Sequence, residues 1–372
     1  MNSAKKWQVL PVAATAALVL ALAACGGSSS GSSGGDTAST GKVGVILPDA
    51  TTSPRWEAND RPSLTKAFSD AGIESDIQNA GGDKTKFATL CDSMINEGVQ
   101  VLMIVNLDSD SGAACLKKAA AAGIKSIDYD RLTLGGGASY YVSFDNVKVG
   151  GLMGEGLEKC LADDGKTSNA GVVYINGAPT DNNAALFKQG YDDYLKGLGG
   201  KVKLLSTNQT GEWDAKKAGT AFDGLYSQFG SKIQGVISAN DTMAGGIIAS
   251  LKRNGLAGKV PVTGQDASVE GLQRILAGTQ CMTVYKNTNL EADAASKLAI
   301  ALIKGDTATA DSLATGSVPD TVTKQNVKSV LVTPQAIYQD SVKTVVSDGF
   351  QKAADICTTA SLKEACTKYG VS

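Results

Sequence analysis

The chain has 372 residues, 42% of them apolar, with 35 Lys and Arg against 37 Asp and Glu and no histidine. That length suits two domains with packed cores, at about 150 residues each. The missing histidine excludes Ser-His-Asp catalysis and the commonest metal ligand, and without a basic block nucleic acid is not an expected partner.

Lys5 and Lys6 precede an apolar run from Val9 to Ala24 that ends in Leu22-Ala23-Ala24-Cys25. This reads as an export signal, because the run is short for a bilayer span of roughly 20 residues. Cys25 after Leu-Ala-Ala resembles the lipobox of bacterial lipoproteins. The resemblance implies a signal peptide over 1–24, lipid on Cys25, and a chain tethered to the outer face of the cell membrane. An ordinary secretory signal is the alternative. Residues 25–40, rich in Gly and Ser, read as a flexible tether.

From residue 41 on, helical segments end in glycine and β-rich runs follow at once. Strands are expected at Val43 to Leu47, Ile73 to Gln78, Val99 to Val105, Ile124 to Tyr129 and Tyr140 to Phe144. Further ones are expected at Gly171 to Ile175, Lys201 to Ser206, Gln234 to Ala239 and Val260 to Gly264. Several are nearly unbroken runs of Val and Ile, as in strands covered on both faces of a parallel sheet. Alternation with helices indicates an α/β, doubly wound architecture. So many strands suit two sheets better than one, with a changeover near Phe144-Asp145-Asn146. Ala294 to Leu302 reads as an amphipathic helix, and Gly305 to Lys324 as polar loop. Pro62 predicts a kink or a late start in the first helix.

With Cys25 assigned to lipid, six cysteines remain, an even number in an oxidising compartment, with 15 possible connectivities. The spacing suits Cys357–Cys366 between two short C-terminal helices and Cys91–Cys115 between neighbouring helices, which leaves Cys160–Cys281. A catalytic thiol has no histidine partner, and no zinc-type spacing occurs, so neither metal nor cofactor is expected.

In open α/β sheets, ligands sit beyond the carboxyl ends of the strands. Those ends carry Tyr129-Asp130-Arg131, Asp181-Asn182-Asn183, Ala239-Asn240-Asp241 and Gly264-Gln265-Asp266. Carboxylates, amides and guanidinium groups bridge neighbouring hydroxyls, which suits a sugar. Trp56 and Trp213 lie in or near such loops and offer flat faces for a sugar ring. No phosphate-binding GxxxxGK[ST] is present. Taken singly, Asp145, Asn183 and Asp241 read as helix caps, Arg131 as half of an ion pair, and Trp56 as core. Their coincidence at several strand ends favours a site.

These motifs, with Val142 to Gly150, Ala277-Gly278-Thr279-Gln280 and Met282 to Lys286, resemble the ribose/galactose-type solute-binding proteins of ATP-driven importers, in particular the D-xylose-binding group. The resemblance spans about residues 42–352. It implies two doubly wound parallel-sheet lobes joined by a three-segment hinge, the type I periplasmic binding protein fold. The N-terminal lobe would be 41–145 with 288–327, and the C-terminal lobe 146–287 with 328–372. It implies that Arg55, Trp56, Asp130, Arg131, Asn182, Trp213, Asn240, Asp266 and Lys286 contact the ligand. Asp145, Asn183, Asp241 and Gln265 would stand behind them. It also implies a monosaccharide, xylose first and glucose, galactose or arabinose as alternatives, with a membrane permease as partner and a monomeric receptor. A sugar sensor shares the same closure. A glycoside hydrolase using Asp130 and Asp266 is the enzyme alternative, disfavoured because nearby cations keep both carboxylates ionised.

Overall fold

The computed structural model describes residues 41–372; the export signal, the tether and Cys25 lie outside the described residues. Two sheets organise the chain. The first begins with β1 (Lys42–Leu47), β2 (Glu74–Asn79), β3 (Val101–Ile104), β4 (Lys125–Tyr129) and β5 (Tyr140–Phe144), alternating with α1 (Arg61–Asp70), α2 (Lys84–Asn96) and α3 (Ser109–Ala121). Two late strands, β10 (Gly316–Pro319) and β11 (Asn326–Val332), complete the order β10-β11-β5-β4-β3-β1-β2. All pairs but β10–β11 are parallel.

The unbroken apolar strands have the expected cause. Val43, Val45 and Leu47 face one core with Leu64 and Phe68 of α1, whereas Ile46 faces the other with Phe87 and Leu116. Successive side chains point to opposite faces, and helices cover both, so each position from Val43 to Leu47 is buried.

The second lobe holds β6 (Ala170–Asn176), β7 (Val202–Thr210) and β8 (Gly235–Ser238) in the parallel order β7-β6-β8. Around it pack α4 (Asn146–Asp163), α5 (Asn182–Gly197), α6 (Ala215–Phe229) and α7 (Asp241–Arg253). Next come α8 (Val269–Leu276), β9 (Thr283–Tyr285) and α9 (Thr288–Ile303), and β9 pairs antiparallel with β12 (Gln335–Ile337). The chain crosses between lobes three times: between β5 and α4, between β9 and α9, and between β11 and β12.

Several expectations are corrected. Val260 to Gly264 forms no strand. Val236 donates to the Pro261 carbonyl and Thr263 donates to the Val236 carbonyl, but pairing is limited to a single bridge at Val262, and Pro261 has no N–H to extend it. The polar stretch 305–324 contains α10 (Thr307–Leu313), capped by Asp306, and the edge strand β10. Residues Ser329 to Val332 pair with Tyr141 to Phe144, so the third crossing follows Val332 and is not at 327/328. The expected late start at Pro62 is met: Pro62 sits in the first turn of α1, which begins only at Arg61. A π-helical turn, Trp56–Asp60, precedes it without a side-chain cap.

The disulfides are Cys91–Cys115 between α2 and α3, Cys160–Cys281 from α4 to the segment before β9, and Cys357–Cys366. The last joins the C-terminal helices α12 (Ala353–Ile356) and α13 (Ala360–Tyr369). Among the described residues no helix is long and apolar enough to cross a membrane.

Asp128 lies fully buried at the end of β4 and accepts from the Thr133 amide and hydroxyl, both at 2.7 Å. Burial pushes its carboxyl up to about 7, against those hydrogen bonds and with help from Asp320. The native state therefore binds a proton that the unfolded chain releases near pH 4, so this group's contribution to stability falls as pH rises from about 4 through 7. Denaturant unfolding of Asp128→Asn should show a smaller loss of stability between pH 5 and pH 8 than the parent chain. Equal losses would contradict the assignment.

Candidate functional site

The strand ends and loops converge on a single cavity between the lobes. The space there not filled by protein atoms is about 350 Å³, open solvent included. The first lobe contributes Arg55, Trp56, Asp130 and Arg131, and the second contributes Trp213, Asn240 and Asp266, with Lys286 from the β9–α9 crossing. Of the expected contacts only Asn182 is absent. Its neighbour Asn183, expected behind the site, lines the cavity instead. Successive helix residues point about 100° apart, so the first turn of α5 presents one of the two.

Asp130 is the hub. It follows β4 in the left-handed region, at φ 64°. Its carbonyl accepts from Ser143 Oγ at 2.7 Å, Asn183 Nδ2 at 2.9 Å and Tyr141 Oη at 3.0 Å. Its carboxylate accepts from Arg55 Nη1 at 2.7 Å and lies 3.7 Å from Lys286 Nζ. Burial alone would push the carboxyl up; Arg55, Lys286 and Arg131 outweigh it and hold the group down at about 2. An anion is thus kept charged in a dry place.

Arg55 lines the cavity and meets three carboxylates. Its Nε and Nη2 donate to Asp60 at 2.9 and 2.7 Å, Nη1 to Asp130, and Nη2 also to Glu291 at 2.5 Å. With most of its five N–H groups committed, it chiefly supports Asp130. Its guanidinium carbon also lies 4.3 Å from the Trp56 ring centroid, a cation–π contact. Glu291 is fully buried, and that burial pushes its carboxyl well above the usual range, against the pull of Arg55.

Arg131 bridges the lobes. Its Nε lies 3.0 Å from Asp181 Oδ2, while Nη1 donates to the Asn106 carbonyl at 3.1 Å. Asp181 also caps α5 by accepting from Asn183 N. Burial pushes its carboxyl up, opposed by Arg131. Lys286 stands between two carboxylates, 3.4 Å from Asp266, and over the faces of Phe144 and Phe187 at 5.3 and 5.8 Å.

Trp213 is aimed by its backbone. Glu212 and Trp213 both have positive φ, 51° and 65°, and Asp266 has 98°. Non-glycine residues in the left-handed region are uncommon and cluster at functional sites. The indole packs directly on Gly177, where any Cβ would lie 1.9 Å from the ring. Phe187 meets it edge-to-face at 6.3 Å. The buried Nε1 atoms of Trp56 and Trp213 and the Oε1 of Gln265 have no partner among the described residues. Buried polar atoms are usually paired, and these three belong to residues that line the cavity.

Asp145 is exposed and caps α4, away from the cavity. Asp241 is buried behind it, accepting from Gln280 Nε2 at 2.6 Å and Ser268 N at 2.9 Å. Burial pushes its carboxyl to about 6, against Arg274. Gln265, expected behind the site, lines the cavity itself. Asp181 stood in a strand-end motif without being assigned a contact, and Phe187 and the supports Asp60 and Glu291 were missed. Phe187 was within reach, because it lies one helical turn after Asn183 on the same face. Glu291 carries no local signal, since its partner Arg55 is 236 residues away, and Asp60, five residues from Arg55, meets Tyr129 only across 69 residues.

A family model described as a periplasmic binding protein domain matches residues 43–307. The D-xylose-binding periplasmic protein of Escherichia coli is 34% identical over 318 residues, covering 85% of this chain and 92% of that protein. The multiple sugar-binding periplasmic receptor ChvE of Rhizobium radiobacter is 33% identical over 337 residues, with 85% and 92% covered. Among solved structures, a carbohydrate transporter solute-binding protein from Chloroflexus aurantiacus in complex with D-glucose is similar. It superposes with a TM-score of 0.77 at 26% identity, covering 85% of this chain and 98% of that one.

Asp60 holds both Arg55 and the Tyr129 hydroxyl, the latter at 2.6 Å. Asp60→Ala would leave the buried Tyr129 hydroxyl without its acceptor and Arg55 with two of its three carboxylates, at a cost of about 1–3 kcal/mol. A fall of that size in the free energy of unfolding by denaturant is expected, and an unchanged value would contradict the network.

Proposed function

This chain belongs to the periplasmic binding protein family, among the sugar-binding receptors of ABC importers, and from that premise we propose that it holds one monosaccharide, D-xylose first, between its lobes. The observation that carries the reading is the convergence of charged and aromatic groups from both lobes on one cavity, with three buried polar atoms left for a ligand. The proposed lobes are 41–145 with 288–332 and 146–287 with 333–372.

In this reading the sugar ring lies against Trp56 and Trp213, whose faces suit the C–H side of a pyranose. Asp130, permanently ionised, accepts from hydroxyls. Arg131, Asn183, Asn240 and Lys286 donate, and Asp266 and Gln265 accept. Arg55 works through Asp130, with few donors of its own to spare. Only the closed form brings both halves to the ligand, so binding favours closure. The contacts Arg131–Asp181 and Asn183–Asp130 already run between the proposed lobes and add to the closed state. The sugar leaves unchanged, handed to a membrane permease. Lipid on Cys25 would keep the receptor at the outer membrane face, as a monomer.

Another monosaccharide is the second reading. It is favoured by the D-glucose bound to the Chloroflexus aurantiacus protein and by the breadth in the name of the Rhizobium radiobacter receptor. The hydrolase reading is not favoured. A glycosidase needs one carboxyl protonated, and Asp130 is held at about 2.

Tryptophan fluorescence titrations against xylose, glucose, galactose and arabinose test the reading. Saturable binding with xylose tightest is expected; binding of none of the four would end it. Arg131→Ala should weaken xylose binding by about 5- to 150-fold, the equivalent of 1–3 kcal/mol for a stranded partner. Asn183→Ala should weaken it by at least tenfold, while Asn182→Ala leaves it within twofold. The reverse order would restore the motif's first assignment.

A further inference from the structure

A second chamber lies against the main cavity, and Ser53, Arg55 and Asp266 face both spaces. The space there not filled by atoms is about 530 Å³, open solvent included, and Pro54, Ala58 and Glu270 of its lining are exposed. Its walls come from both lobes. Ala58, Val269 and Phe350 supply apolar surface, and Asn59, Thr242 and Glu270 supply polar groups. Nothing in the monosaccharide reading uses this space.

Its chemistry narrows the occupant. The helices α7 and α8 begin beside it, but Asn240 and Ser268 already cap them, accepting from Met243 N and Gly271 N. Asp241, Asp266 and Glu270 add carboxyl groups to the wall, which disfavours an anion. Mixed apolar and hydrogen-bonding surface of this kind suits a neutral polyhydroxylated unit. A unit covalently joined to the sugar in the main cavity would reach it at high effective concentration.

We propose that this chamber is a second subsite, for the unit attached to the sugar, so that the receptor takes neutral glycosides or disaccharides as well as a free monosaccharide. The proposal rests on the monosaccharide reading of the main cavity. Asp266 is then shared. Its Oδ1 faces Lys286 at 3.4 Å, and its left-handed backbone sets the side chain between the two spaces.

Calorimetric titrations with xylose, both anomers of methyl xyloside and β-1,4-xylobiose test this, using the parent chain, Ala58→Trp and Val269→Trp. Both substitutions fill the chamber from opposite lobes, outside the lining of the main cavity. The parent chain should bind xylobiose one to one, within tenfold of xylose. Ala58→Trp should weaken xylobiose at least tenfold and leave xylose within twofold. Should that chain fail to fold, Val269→Trp gives the same comparison, and the parent titrations decide by themselves. Xylose binding with no binding of xylobiose or either methyl xyloside overturns the subsite. So does an equal loss of xylose and xylobiose in the variants. Failure of xylose itself would instead overturn the monosaccharide reading, and the subsite with it.

Discussion

A single carboxylate kept ionised inside a dry cleft is the constraint around which the site is organised. Asp130 is almost fully buried, and burial by itself would neutralise it. Three cations prevent this, and each brings its own support: Arg55 is held by Asp60 and Glu291, Arg131 by Asp181, and Lys286 by Asp266. Taking any one of these ions out of water is expensive. The network repays that cost by fixing an acceptor that needs no rearrangement when a ligand arrives.

The network also explains why the site spans two lobes. Asp181 and Asn183 begin α5, on the second sheet, while Asp130 and Arg131 end β4, on the first. Their contacts with each other tie the carboxyl end of one sheet to the first turn of a helix on the other. The same geometry that satisfies Asp130 therefore holds the two lobes together.

Among the seven described non-glycine residues with positive φ, three line the cavity: Asp130, Trp213 and Asp266. Such conformations cost on the order of 1–3 kcal/mol each. The surrounding parallel sheets, buried on both faces, supply the rigidity that sustains them. Gly177 has the complementary task of leaving room for the Trp213 ring.

Much of this protein is legible in its sequence by itself. Strand runs and glycine stops mark most of the first eight strands to within a few residues, because both are local effects of burial and helix termination. The strand-end residues that line the cavity were also legible, since a ligand in an open α/β sheet has to sit beyond those ends. For the six cysteines of residues 41–372, spacing suggested two pairs between nearby helices, and the structure decided the connectivity, Cys160–Cys281 included. Tertiary structure alone decided the rest. Asn183 rather than Asn182 faces the cavity through the rotation of α5. Arg55 is spent on Asp60, Asp130 and Glu291, whose convergence needs three elements packed together. The edge strand β10 and the crossing after Val332 exist only because β11 pairs with β5, roughly 190 residues earlier in the chain. Local sequence encodes direction and burial, whereas the identity of a long-range partner is settled only when the chain has closed on itself.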